Sequence, residues 1–202
     1  MKSELMYFIL ICSLLACSKD NDSTNQPPTN AKEYWYCSLD GKQYTLVVKD
    51  GSLDVESSLH IESSIAPLGQ GTSYYKLGAN IFENINDNIG FYLAKGTMAI
   101  AQGGYPSELQ FSNFMNDQNN EFSLEALNGI EINFYDAQQE IWSTSLGSQM
   151  GSQFKFIKLT SITVLNDHYI ESEAEFNCKL YNALGEVKQL VNGKCKLVFG
   201  YE

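Results

Sequence analysis

The sequence predicts an all-β domain, an antiparallel β-sandwich of roughly ten short strands. Three observations carry this. Apolar residues recur at every second position in several stretches, most regularly at Ala174, Phe176, Cys178 and Leu180. Clusters of Gly, Asn, Asp and Pro punctuate the chain at short spacing. No stretch after the N-terminal segment has an apolar period of 3.6. A lipocalin-like barrel is the alternative, since closure also accommodates many antiparallel strands.

The first element is an apolar run, Leu5–Leu15, that follows Lys2. A membrane-spanning helix needs about 20 apolar residues, whereas the core of an export signal needs about 7–15. The run therefore predicts a signal helix over 1–16 rather than a permanent span. Leu14-Leu15-Ala16-Cys17 ends it, with a cysteine after a small residue. This resembles the lipobox of bacterial lipoproteins. The resemblance implies that Cys17 becomes the first mature residue, with a diacylglyceryl thioether on sulfur and a fatty acid such as palmitate on nitrogen. Several acyl chains, at about 0.8 kcal/mol per buried CH₂, give stable anchoring without a polybasic patch. Ser18-Lys19-Asp20-Asn21-Asp22 resembles the short export signal of Bacteroidetes surface lipoproteins, which implies an outward-facing position on the outer membrane. Ser18–Glu33, with Pro27-Pro28 and no apolar period, reads as a disordered tether spanning about 20–24 Å.

The single β domain is expected over 34–202. Tyr34–Leu39 alternates, and Asp40-Gly41 turns the chain into Gln43–Lys49, the strongest early hairpin signal. Strands are then predicted at Leu53–Ile61, Ser73–Glu83, Ile89–Ala94, Thr97–Ala101, Gly129–Asp136, Glu140–Ser145, Phe154–Leu165 and Tyr169–Tyr181. Asn192-Gly193 predicts a closing hairpin between Val187–Val191 and Lys194–Tyr201, pairing Leu190 with Cys195. On the 169–181 strand Glu171, Glu173 and Glu175 share the face opposite the apolar residues. They read as a solvated surface whose burial by a one-residue slip would be prohibitive. Segments at 35–44, 130–145 and 173–199 are similar to recurring pieces of uncharacterised Bacteroidetes surface lipoproteins. That resemblance implies an all-β fold and brings no catalytic residues.

Charge narrows the ligands. The chain has a net charge of −11, and all thirteen basic residues are lysines. A nucleic-acid binder must neutralise phosphates, and without arginine there is no bidentate fork for phosphate or carboxylate. Nucleic acid and nucleotide are thereby disfavoured as partners. Glycans, peptides or a surface protein complex remain, beside the membrane itself through the acyl anchor. Three cysteines lie in the β domain, Cys37, Cys178 and Cys195. Under the predicted hairpin, Cys178 and Cys195 stand two strands apart, about 9.5 Å, beyond the reach of a disulfide. A bridge from Cys37 to either stays open, as do three buried thiols.

No motif points to catalysis, metal or cofactor. His60 and His168 are isolated, and the Asn84–Asn88 and Asp117–Glu121 turns lack the ligand register of a calcium loop. There is no G-x-S-x-G, and the cysteines sit in apolar alternation, where burial suppresses thiolate formation. Aromatics in or beside strands, Tyr34, Tyr36, Tyr74, Tyr75 and Trp142, offer the remaining candidate site as a stacking platform, with packing in the core or on the sheet as the competing reading of aromatics at period two. The expectation is a non-catalytic, lipid-anchored binding or structural domain outside the cytoplasm. A carboxylate-dependent hydrolase acting on glycans is the alternative.

Overall fold

The computed structural model describes residues 31–48, 55–63, 71–82, 89–101, 104–123, 129–164 and 167–200. Cys17, the 18–22 segment and the Asn84–Asn88 turn lie outside the described residues. Ten strands, one α-helix and one 3-10 turn are present among them. The strands are β1 (Tyr34–Leu39), β2 (Lys42–Val47), β3 (Val55–Ser63), β4 (Thr72–Phe82), β5 (Gly90–Ala101), β6 (Gly129–Tyr135), β7 (Ile141–Ser143), β8 (Gln153–Val164), β9 (Asp167–Tyr181) and β10 (Val187–Gly200). All pair antiparallel in one open sheet of order β2-β1-β10-β9-β7-β6-β5-β4-β3, with β8 on the edge of β9. The all-β antiparallel class read from the sequence is therefore the class observed.

The sheet bends back on itself, because β3 and β4 near one end pack against β10 near the other. Between its two halves lies the main core, contributed by β1, β2, β4, β5, β6, β7, β9, β10 and the α-helix, and Tyr75, Met98 and Ile100 form a smaller cluster beside it. The centre of the main core is aromatic. Trp35 stacks on Phe91 at 4.6 Å and leans on Phe176 at 4.9 Å, and Phe91 meets Phe134 at 4.9 Å. Such offset pairs add to the burial of large apolar area.

Asp40 and Gly41 both have positive φ, as a two-residue hairpin turn requires, so the β1–β2 hairpin forms where expected. On β9 Ala174, Phe176, Cys178 and Leu180 are buried, and the three glutamates point outward. Each of those glutamates is ion-paired, Glu171 with Lys196 at 3.0 Å, Glu173 with Lys158 at 3.5 Å and Glu175 with Lys194 at 2.8 Å.

Several expectations need correction. The segments expected as a closing hairpin are, over Val187–Gly200, one strand, β10. Asn192 adopts a left-handed φ of 54°, but the residue makes a bulge instead of a turn. Three steps along β10, from Leu190 to Gly193, match two along β9, and β1 absorbs the same extra residue on the other side. Gly193 is required there because a Cβ would fall 2.2 Å from the Phe176 ring. Cys195 consequently faces Ala174 and Trp35, not Leu190, and Cys178 lies on the neighbouring strand. All three cysteines are buried free thiols.

Ile89–Ala94 and Thr97–Ala101 likewise merge into the single strand β5. His168 belongs to β9 rather than to a turn, with Nδ1 3.3 Å from a Glu108 carboxylate oxygen. The helix α1 (Glu108–Asn116) was not expected. Ser107 caps it in a reciprocal capping box with Gln110, and Phe111 and Met115, one turn apart, bury its inner side. Lys95 holds its far end. Lys95 is 2 % exposed, and its ammonium donates to the Met115 and Asp117 carbonyls at 3.4 and 2.7 Å and to Asn120 Oδ1 at 3.3 Å. A cation against the last carbonyls complements the helix dipole.

Candidate functional site

The five aromatics expected to form a platform are not a row on the surface. Tyr36, Tyr75 and Trp142 are buried, Tyr34 is half-buried, and Tyr74 alone of the five is exposed. For Tyr36 the reason is that β1 is covered on both faces, so alternation there does not separate core from solvent. Tyr75 instead donates its hydroxyl to the Gly104 carbonyl.

Trp142 has a structural task. Its indole N–H donates to Asp136 Oδ2 at 3.0 Å, and Lys188 Nζ lies 3.6 Å from its ring centroid. Asp136 Oδ1 also accepts from the Gln138 and Glu140 amides. Partial burial opposes ionisation of Asp136, but these donors and the Lys188 charge outweigh it and hold the carboxyl below the ordinary range. A depressed carboxylate stabilises the fold above its unfolded pKa, about 3.9, and that contribution is lost as pH falls through the lower folded value. Asp136→Asn should accordingly lower the denaturation midpoint at pH 7, and the difference from wild type should shrink on acidification to pH 3. Urea melts at the two pH values check this.

A concavity of about 760 Å³ opens where β8 begins. Its floor is Phe122, Phe154 and Phe176, with Phe154 6.2 Å from Phe122 and 6.0 Å from Phe176. Glu121 and Asn120 form one lip, and Lys155, Glu175 and Asn177 the other. A second, smaller hollow of about 200 Å³ continues along β8 between Phe156–Leu159 and Met115–Asn120. Together they make a groove beside one edge of β8.

The topology explains why the groove exists. β7 has only three residues, so it joins β6 to β9 only at Ser143–Tyr181. Farther along, β9 is edged by β8, and β6 is edged by a short bridge between Phe122 and Ile130. The sheet thus forks, and the groove lies in the fork. Gly129 sets the Phe122 lip, since its φ is 89° and a Cβ would sit 2.2 Å from the Glu121 carbonyl oxygen. At the crotch Gln149 takes the place of a strand. Its amide donates to the Lys179 carbonyl at 2.7 Å and accepts from the Lys179 N–H at 3.1 Å. Tyr181 and Lys179 side chains donate to the Ser148 and Met150 carbonyls, which fastens the loop that carries Met150 to the rim.

The carboxylates here are dispersed. Glu121 is exposed, and Glu175 is engaged by Lys194. The thiols lie away from the groove, and burial raises them all, Cys37 to about 12 and Cys178 and Cys195 further, so they stay protonated at neutral pH. Among the described residues no group of three or more His, Cys, Asp or Glu side chains converges on a point. Comparison with protein families, with curated proteins and with solved structures finds no match to this chain.

The sequence marks the Asp117–Glu121 turn, Glu175 and Phe176 for other reasons, but not as parts of one groove. Phe154 and Phe156 sit in a stretch that reads simply as a strand, and Phe122 and Gln149 carry no local signal. Fold topology alone brings them together.

Proposed function

We propose that this chain is a lipid-anchored extracytoplasmic β domain, outward-facing on the outer membrane, that binds a partner without transforming it. The observation that carries the binding role is the groove beside β8. It combines an aromatic floor with amide and charged lips, the composition of recognition sites. A carboxylate hydrolase needs two acids held at a set separation, one of them protonated in an apolar pocket. The exposure of Glu121 and the Lys194 partner of Glu175 do not supply that arrangement. The anchoring role rests on Leu5–Leu15 and Cys17.

The test separates the two parts. Cys17→Ala should move the protein from the membrane pellet to the soluble extracytoplasmic fraction, while its β domain keeps the wild-type unfolding midpoint. A Cys17→Ala chain that still pellets with the envelope unchanged contradicts the anchor.

A further inference from the structure

We infer that the ligand class of the groove is an extended polypeptide, added as a further antiparallel strand on the free edge of β8. This rests on the binding role proposed above and names what would be bound.

A strand pairs along two edges. β9 occupies one edge of β8 from Gln153 to Val164, and among the described residues no strand occupies the other. Among the described residues alternate N–H and C=O groups on that side have no ladder partner, which makes the edge a template for an incoming chain. Two features distinguish it from an ordinary protected edge. The groove runs beside it, leaving room next to the backbone, and Phe154 and Phe156 stand half-buried, packed on the core. An added strand would therefore place every second side chain over Phe122, Phe154 and Phe156, where apolar residues fit. Its intervening side chains would face solvent.

Charge selects further. In register Lys155 lies across from Glu175, but Glu175 pairs with Lys194 at 2.8 Å on the other side. Among the described residues Lys155 makes no ion pair. An acidic residue on the incoming strand opposite Lys155 would supply one, as cross-strand neighbours do. The bulge at Ile157 interrupts the ladder with β9. This confines regular pairing to the Gln153–Phe156 end, beside the larger hollow. The partner is thus an extended segment of alternating apolar and polar residues with an acidic residue near its centre.

The experiment uses the full chain in detergent and a seven-residue probe peptide that alternates valine with threonine and carries one central glutamate. Hydrogen exchange should slow at those of the 153–156 amides that point away from β9 on adding the peptide. Replacing its glutamate by lysine should weaken binding about two- to fivefold, the range of a single cross-strand charge pair. N-methylation of alternate peptide amides should weaken it about a hundredfold, through lost ladder hydrogen bonds. Lys155→Glu, a change at an exposed side chain, should reverse the preference between the two peptides. Equal binding of the N-methylated peptide, an unaltered preference in Lys155→Glu, or unchanged exchange at 153–156 overturns the inference. Protection of those amides without peptide, rising with protein concentration, overturns it in favour of a second copy of this chain. Glycan binding abolished by Phe154→Ala, with no peptide binding, removes the polypeptide and leaves the groove as a binding site. Failure of glycans and peptides alike removes both.

Discussion

Trp35→Ala is expected to cost about 3–5 kcal/mol of folding stability, the range for deleting a buried large aromatic. Trp35 has no exposed surface, and its ring is held between Phe91 of β5 and Phe176 of β9. Those strands belong to opposite halves of the bent sheet, so the indole is where the two halves meet. Removing it leaves a cavity that neither half can close without shifting the other. Against a typical total of about 5–15 kcal/mol, the loss is a large share. Trp35→Phe, which keeps a ring in the stack, should cost less than half as much. Chemical denaturation followed by far-UV circular dichroism measures both. Equal midpoints for wild type and Trp35→Ala would place the core elsewhere.

Glu131→Ala should be of similar size, about 3–5 kcal/mol, for an electrostatic reason. Glu131 sits in the middle of β6 and pairs with Lys76 of β4, the two side chains being only 9 % and 13 % exposed. Its other oxygen accepts from the Asn133 amide at 2.9 Å. Truncation strands the Lys76 ammonium away from water and also removes the acceptor of Asn133. Loss of an interaction and creation of an unpaired buried charge act in the same direction. The double variant Lys76→Met, Glu131→Leu removes both charges and should recover most of the loss, because a well-packed apolar pair often equals a buried ion pair. A double variant no better than Glu131→Ala would show that the pair contributes chiefly by shape.

The strand pattern was legible where one sheet face is buried and the other wet. β9 is the plainest case, with its register fixed by three outward glutamates. Legibility failed where that asymmetry fails. β1 and β6 are covered on both faces, so Tyr36 looked like a surface aromatic although it is buried, and nothing in the pattern of β6 marks Glu131 as buried. The helix α1 spans only nine residues, too few for a 3.6 period to stand out, although Ser107-x-x-Gln110 carries a capping box. Asn192-Gly193 is a turn signal that tertiary pairing converts into a bulge, because both flanking segments have partners in β1 and β9. The groove was not legible as a site. Phe122 and Phe154 are far apart in the chain and meet only because β7 stops after three residues.

The proposed role depends on where the chain is held, and a single measurement addresses that directly. Intact mass and N-terminal peptide mass of the protein purified from its own envelope should give a chain that begins at Cys17 and carries added diacylglyceryl and fatty-acyl mass on that residue. A chain that begins at Met1, or a Cys17 without fatty acid, would contradict the account.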